Sequence, residues 1–219
     1  MPHSVKPLNK IKLSFEPSSN KRLNDSAISL MSFDEDTRRN MSKKICVISS
    51  TMRKGGNSYL LAQEFARGAK VAGNEVLEID IKTLELKYCL GCMYCQSHDG
   101  CVIKDSMNSL YTEIQNSDVL VFATPIYYYS VSGQLKTFID RLNPLYPKDN
   151  KFKEVYLLAT SAEDETSAMD GAIKCVQGFI DCFDNVTLKG VVCGTGVEGA
   201  GEIKNSDALL QAYEAGEGV

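Results

Sequence analysis

From Lys44 onward, short apolar runs alternate with amphipathic helical stretches, and this alternation constrains the fold more than any other feature of the chain. The runs are Ile45–Ile48, Val76–Ile81, Val119–Ala123, Val155–Ala159 and Val186–Val192. Val119–Ala123 is apolar at every position, as a strand buried on both faces requires. Between the runs, Leu61, Phe65, Gly68, Ala69 and Ala72 share one helical face, with Gln63, Glu64, Arg67 and Lys70 elsewhere, and Gly73-Asn74 supplies a stop. Leu135, Phe138, Ile139 and Leu142 mark a second helix, and Met169, Ile173, Val176 and Ile180 a third. Residues 205–217 form the last. Strand–helix alternation feeds right-handed crossovers into a parallel sheet covered by helices on both faces. Five strands suit a doubly wound sheet of order 2-1-3-4-5, whose ligands bind at the carboxyl ends of the strands, beside the switch point between strands 1 and 3.

Residues 1–40 differ. They hold three of the six prolines and none of the 16 glycines, and they lack sustained periodicity. The expectation is a disordered extension with a single domain, 41–219, after it; a strand docked at Ile11–Phe15 is the alternative. No run approaches the roughly 20 apolar residues of a membrane span, and no apolar leader is seen at the N-terminus. A net charge of −4 with mixed signs gives no footprint for nucleic acid or an anionic membrane. Eight cysteines without a leader read as reduced thiols or ligands in a cytoplasmic protein, and Cys46, Cys175, Cys182 and Cys193 as small apolar core residues. His3 and His98 are the only histidines, which disfavours a His base and favours a bound cofactor for the chemistry.

The loop after strand 1 reads Ser50-Thr51-Met52-Arg53-Lys54-Gly55-Gly56-Asn57-Ser58 and runs into a helix. Hydroxyls, an amide, two cations and two glycines at a helix N-terminus make a mononucleotide phosphate cradle, with Tyr59 next to it on the helix. The spacing is neither that of a P-loop nor that of a dinucleotide fingerprint. The loop after strand 3 reads Thr124-Pro125-Ile126-Tyr127-Tyr128-Tyr129-Ser130-Val131-Ser132-Gly133. Three consecutive tyrosines offer flat surface with polar tips, suited to a planar ring or to a subunit interface. Thr160-Ser161 follows strand 4 at the position that faces the ring's other side.

Between strand 2 and strand 3, Cys89, Cys92, Cys95 and Cys101 have the spacing C-x2-C-x2-C-x5-C. A compact run of thiolates suits a [4Fe–4S] cluster better than zinc, which more often takes two separated knuckles. In compact ferredoxin runs the fourth cysteine serves a different cluster, so Cys101 would have to turn back.

The first two loops together resemble those of the NADPH-dependent FMN reductase family, within the flavodoxin-like superfamily. The phosphate loop keeps Thr51, Arg53, Asn57 and Ser58 and departs from the common pattern at Ser50 and Met52; Pro125 to Arg141 matches the family's P-x-Y-x-x-x-V-S-x-x-L-K-x-F-I-D-R segment. The resemblance covers about 44–217. It implies a flavodoxin-like α/β fold and one FMN, with the phosphate at Thr51, Arg53, Asn57 and Ser58 and with Ser50 and Tyr59 also among the cofactor-binding residues. The ring would lie along Pro125, Ile126, Tyr127, Tyr128, Tyr129 and Ser130, with Thr160 and Ser161 beyond it. The cysteine run resembles that of the iron–sulfur flavoproteins of this family, while cluster-free members carry a similar segment as a wall of the flavin pocket. The implied activity moves electrons from NAD(P)H or a small redox protein to a small acceptor such as a quinone or free flavin, in a homodimer or tetramer. A non-enzymatic electron carrier or redox sensor is the alternative.

Overall fold

The structure is a computed structural model that describes residues 42–219; the expected N-terminal extension and the alternative strand at Ile11–Phe15 lie outside the described residues. In chain order the main elements are β1 (Lys44–Ser49), α1 (Asn57–Val71), β2 (Glu75–Asp80), α2 (Tyr111–Gln115), β3 (Val119–Tyr127), β4 (Ser130–Val131), α3 (Gly133–Asp140), β5 (Glu154–Thr160), α4 (Asp170–Ile180), β6 (Thr187–Gly194) and α5 (Ala208–Glu217). The five long strands are parallel in the order β2-β1-β3-β5-β6, which is the predicted 2-1-3-4-5 with the long strands counted in sequence. Two-residue β4 lies off this path and pairs antiparallel with the end of β3.

Residues of alternating parity divide between two cores. Ile45, Val47, Val121 and Leu158 point to α1 and α5, whereas Cys46, Ile48, Phe122 and Leu157 point to the α3–α4 side. Every residue of Val119–Ala123 is buried, so burial on both faces is what its unbroken apolar run encodes. The α1–α5 contact is close because two glycines face it. A Cβ on Gly68 would sit 2.1 Å from the Tyr213 carbonyl oxygen, and one on Gly216 2.0 Å from that of Phe65. Helix α1 stops where expected. The Gly73 N–H donates to Lys70 O, and the Asn74 N–H to Ala69 O, with Gly73 at φ +93°, a Schellman arrangement. Ala72 falls at the cap and is exposed, outside the buried face assigned to it.

Three features depart from the sequence-based expectation. Strand β3 runs past Ala123 to Tyr127, because its hairpin with β4 carries the ladder beyond the parallel sheet. Helix α3 ends at Asp140; Leu142 lies in the following turn but stays buried, so periodicity overran the helix without misplacing the contact. Helix α2 was not foreseen, being one turn long and lacking a full period of its pattern. Among the described residues no helix is long and apolar enough to cross a membrane.

Candidate functional site

The loops after β1, β3, β5 and β6 meet at the carboxyl edge of the sheet, and hydroxyl bonds stitch the first two together. Ser50 Oγ donates to the Ala123 carbonyl at 3.0 Å, and Ser132 Oγ donates to Ser50 Oγ at 3.0 Å. The Ser132 N–H donates to Thr124 Oγ1 at 3.0 Å, while Ser132 Oγ accepts from the Leu135 N–H at 3.3 Å as the N-cap of α3. Ser50, Thr124 and Ser132 are all buried. Ser132 was not among the residues singled out from the sequence, although a Ser just ahead of an apolar-periodic stretch is the ordinary mark of a helix cap.

Helix α1 begins at this edge with an N-cap glycine, Gly56, that offers no side-chain acceptor, and with no acid in its first turn. The first N–H groups of a helix have no intrahelical partner, and the dipole makes that end positive. Ser58 Oγ is buried here without a hydrogen-bond partner among the described residues. A buried hydroxyl left alone costs free energy, and an anion at this turn would meet both Ser58 and the free N–H groups. The loop reaches this position by a tight curl. Gly55 has φ +64°, and a Cβ on Gly56 would fall 2.6 Å from Thr51 Oγ1 and 3.3 Å from the Arg53 carbonyl oxygen.

Other residues of the cradle are engaged elsewhere. The Asn57 amide is occupied by the loop after β6: Nδ2 donates to Gly199 O at 2.9 Å and to Val197 O at 3.4 Å, and Oδ1 accepts from the N–H groups of Gly201 at 2.9 Å and Ile203 at 3.3 Å. The exposed Arg53 guanidinium donates to the Glu198 carbonyl at 2.6 Å. The Tyr59 hydroxyl accepts from Gln63 Nε2, and Lys82 Nζ stands 5.7 Å from its ring centroid. The loop after β6, which sequence reasoning left out, is thus tied to the β1 loop by two of the residues assigned to phosphate.

The three tyrosines do not share one loop. Tyr127 ends β3, while Tyr128 and Tyr129 form the two-residue hairpin turn with φ of +49° and +59°, a conformation that Asn and Gly reach at less cost. All three are exposed, Tyr128 fully. Pro125, Ile126 and Ser130 are half-buried behind them. The hairpin rests on α4 through Gly171, where a Cβ would lie 2.0 Å from the Tyr129 carbonyl oxygen. Pro125 is paired in register with Thr160, and Thr160 and Ser161 are buried, so the loops after β3 and β5 leave the sheet side by side.

The four-cysteine loop leaves the sheet after β2. Cys89 and Cys92 are exposed, Cys101 is half-buried and Cys95 is buried. All four border one small void of about 20 Å³, room for a single water, and no three metal-binding side chains converge among the described residues. Four thiols in one wall are the right donors for an iron–sulfur cluster, but as arranged here they do not form its cage. The neck of the loop is closed by the Lys87 N–H donating to Asp105 Oδ2 at 2.9 Å, and by Glu85 and Ser106 exchanging two bonds. Buried Arg141 crosses it, donating from Nη1 to Lys87 O at 2.7 Å and to Asp105 Oδ2 at 2.5 Å, and from Nη2 to Asp105 Oδ1 at 2.9 Å. Burial works against the Asp105 charge. The Arg141 fork and the N–H groups of Lys87 and Met107 outweigh it and hold the carboxyl below its ordinary range.

The profile of the NADPH-dependent FMN reductase family matches residues 43–196. An iron–sulfur flavoprotein of Archaeoglobus fulgidus is 35% identical over 97 residues, 44% of each chain. YwqN of Bacillus subtilis, provisionally described as an NAD(P)H-dependent FMN-containing oxidoreductase, is 27% identical over 77% of this chain and 94% of its own. The matches to the iron–sulfur flavoproteins of Archaeoglobus fulgidus and Methanocaldococcus jannaschii span 44–63% of those proteins' lengths. Among solved structures, an NAD(P)H:quinone oxidoreductase from Methanothermobacter marburgensis superposes with a TM-score of 0.65 at 17% identity, covering 80% of this chain and 95% of that one. An azoreductase from Bacillus anthracis does so at 0.62 and 19%, covering 81% and 100%. At such identities these two likenesses concern the fold.

Proposed function

The chain belongs to the NADPH-dependent FMN reductase family, and from that premise we propose that it binds one FMN at the carboxyl edge of its sheet and passes electrons from NAD(P)H to a small acceptor. The observation that carries this reading is the start of α1: an uncapped glycine, no acid in the first turn, and the orphaned Ser58 hydroxyl. Thr51, Ser58 and the first-turn N–H groups are the phosphate partners in this reading, with Arg53 supplying nearby positive charge. Pro125, Ile126, the tyrosine hairpin and Thr160-Ser161 border the ring. Bound FMN supplies the capacity to accept a hydride and to release electrons singly or in pairs. The chain's own duties are to hold the phosphate, orient the ring edge and leave one face open to donor and acceptor in turn.

The quinone oxidoreductase and azoreductase neighbours support a quinone or similar conjugated acceptor. A small iron–sulfur protein as alternative donor is the finer part of the proposal. The names of the iron–sulfur relatives and the four thiols around one void support a [4Fe–4S] cluster as a further cofactor, whereas their lack of convergence does not, and no electron path is drawn through it. Eight unpaired thiols support a reducing, cytoplasmic setting, and the exposed tyrosines support assembly as a dimer or tetramer.

The test is the colour of anaerobically purified protein. Flavin absorption, FMN in the heated supernatant and bleaching by NAD(P)H are the expected results, and iron is assayed on the same sample. Protein that neither carries nor takes up FMN refutes the reading, and a flavin that ignores NAD(P)H replaces it with a carrier.

A further inference from the structure

Two different kinds of bond hold the two ends of α3. At its N-terminus, Ser132 is bonded to Ser50 of the β1 loop and to Thr124 of β3. At its C-terminus, Arg141 spans the neck of the four-cysteine loop, gripping the Lys87 carbonyl on one strand of the neck and both oxygens of Asp105 on the other. The side chains of Arg141 and Asp105 are 1% and 0% exposed, and this is the only ion pair among the described residues buried on both sides. A bidentate fork fixes orientation as well as distance, which a lysine in the same place does not. Eight helical residues span about 12 Å and do not bend at that length without a break.

We propose that Arg141 is a positioning residue: with Asp105 it fastens the loop 88–104 to α3, and α3 in turn sets the cysteines at a fixed place relative to the carboxyl edge that carries the β1 loop. This deepens the flavin reading, since the edge in question is the one assigned to FMN, but the fastening itself does not depend on what occupies that edge. The tip of the loop is tied to the segment after α3, where Gln96 Nε2 donates to Asn143 O at 3.3 Å and Lys148 pairs with Asp99, and its neck is left to Arg141. Tyr88, Leu90 and Met93 are exposed, and Gly91, Met93 and Gly100 sit at positive φ, so beyond buried Cys95 and Cys101, which packs against the core, neither apolar contact nor regular backbone fixes the loop. The neck bonds close the loop on itself; only Arg141 joins both sides of that neck to a helix.

The experiment compares wild type with Arg141→Lys and Asp105→Asn, which keep size and polarity but lose the fork, and with Asp105→Glu, which keeps the carboxylate. Hydrogen exchange across 88–104 and site-resolved alkylation of Cys95 are read on protein as purified, with Cys182, exposed and outside the loop, as the internal control. FMN affinity is measured alongside. The expected result is at least tenfold faster exchange within 88–104 and faster alkylation of Cys95 in Arg141→Lys and Asp105→Asn, partly restored in Asp105→Glu. Cys182, the amides of β1 and α1, and FMN affinity stay as in wild type. Unchanged exchange in the loop overturns the proposal. So does a change shared by the loop, Cys182 and the β1 amides, or failure of both conservative variants to fold, since either makes the pair a support of the whole domain. Wild type that binds no FMN defeats the flavin reading and leaves the loop comparison standing.

Discussion

Asn57→Ala separates a phosphate ligand from a loop staple. The residue is 7% exposed, and its amide makes two bonds of 2.9 Å and two longer ones of 3.3 and 3.4 Å, all to the loop after β6. Alanine leaves the Ile203 and Gly201 N–H groups and the Gly199 carbonyl to find water or go unpaired. At about 0.5–1.5 kcal/mol for each good bond, more where a buried partner is stranded, the loss is about 3 kcal/mol. For a domain of this size that lowers the melting temperature by about 6–12 °C. The functional signature is as specific as the thermal one. A staple that sets the β1 loop affects every ligand of that loop, so FMN and riboflavin, which lacks the phosphate, weaken by similar factors. Thermal unfolding of the apoprotein and paired titrations with the two flavins measure both. An unchanged melting temperature with weakening confined to FMN refutes the reasoning and returns Asn57 to the phosphate.

Arg53→Ala removes an exposed cation held at the mouth of the cradle by the Glu198 carbonyl, so FMN weakens about tenfold while riboflavin binding is unchanged; equal FMN affinity in titration places the phosphate elsewhere. Burial pushes the Cys46 thiol up to about 12 and the Tyr111 hydroxyl up to about 12, against ordinary values of 9.0 and 10.0. Both groups are held neutral by the fold and ionise more easily when unfolded. Stability is therefore full below pH 9 and falls as the pH rises toward 12, and Cys46→Ala flattens the first part of that decline in denaturant titrations from pH 8 to 11.

The sheet was legible because its signal is redundant. Ile45, Val47, Val121 and Leu158 face one helix layer while Cys46, Ile48, Phe122 and Leu157 face the other, and only strands apolar at successive positions supply both layers at once. Handed crossovers then leave few orders for five parallel strands. Element ends were less legible because they depend on single bonds. Nothing in Pro125-Ile126-Tyr127 announces that β3 continues, since the continuation is paid for by the ladder to Ser130-Val131 and by the Gly171 contact, both remote in sequence or off the local pattern. The turn itself violates its own statistics: two tyrosines occupy left-handed positions that sequence rules reserve for Asn and Gly. Strain of that kind persists only where surrounding contacts over-determine the backbone, and here Tyr129 is pinned by α4.

Which polar atoms of the candidate site bond to the protein was not legible in its sequence. A Gly-Gly-Asn-Ser string before a helix announces an anion cradle, but it does not say which polar atoms face the ligand and which face the protein, because either arrangement satisfies the same residues. The difference is set by the loop after β6, where Val197, Glu198, Gly199, Gly201 and Ile203 present backbone groups at the distance an Asn and an Arg can span. Backbone groups carry no sequence signature, so any partner of this sort is invisible until the chain is folded. Arg141 shows the same limit from the other side. In the motif that ends F-I-D-R it reads as a polar residue of the helix carried to Leu142, yet it is buried, and it holds a carboxylate 36 residues upstream and a carbonyl 54 residues upstream. What marks such residues beforehand is a mismatch: a charged or amide side chain at a position the apolar period assigns to the interior. Asn57 begins the buried face of α1, and Arg141, the C-cap of α3, lies between buried Phe138 and Leu142 in sequence. A polar residue there must bring its partner with it, because burying it alone costs more than a helix face returns.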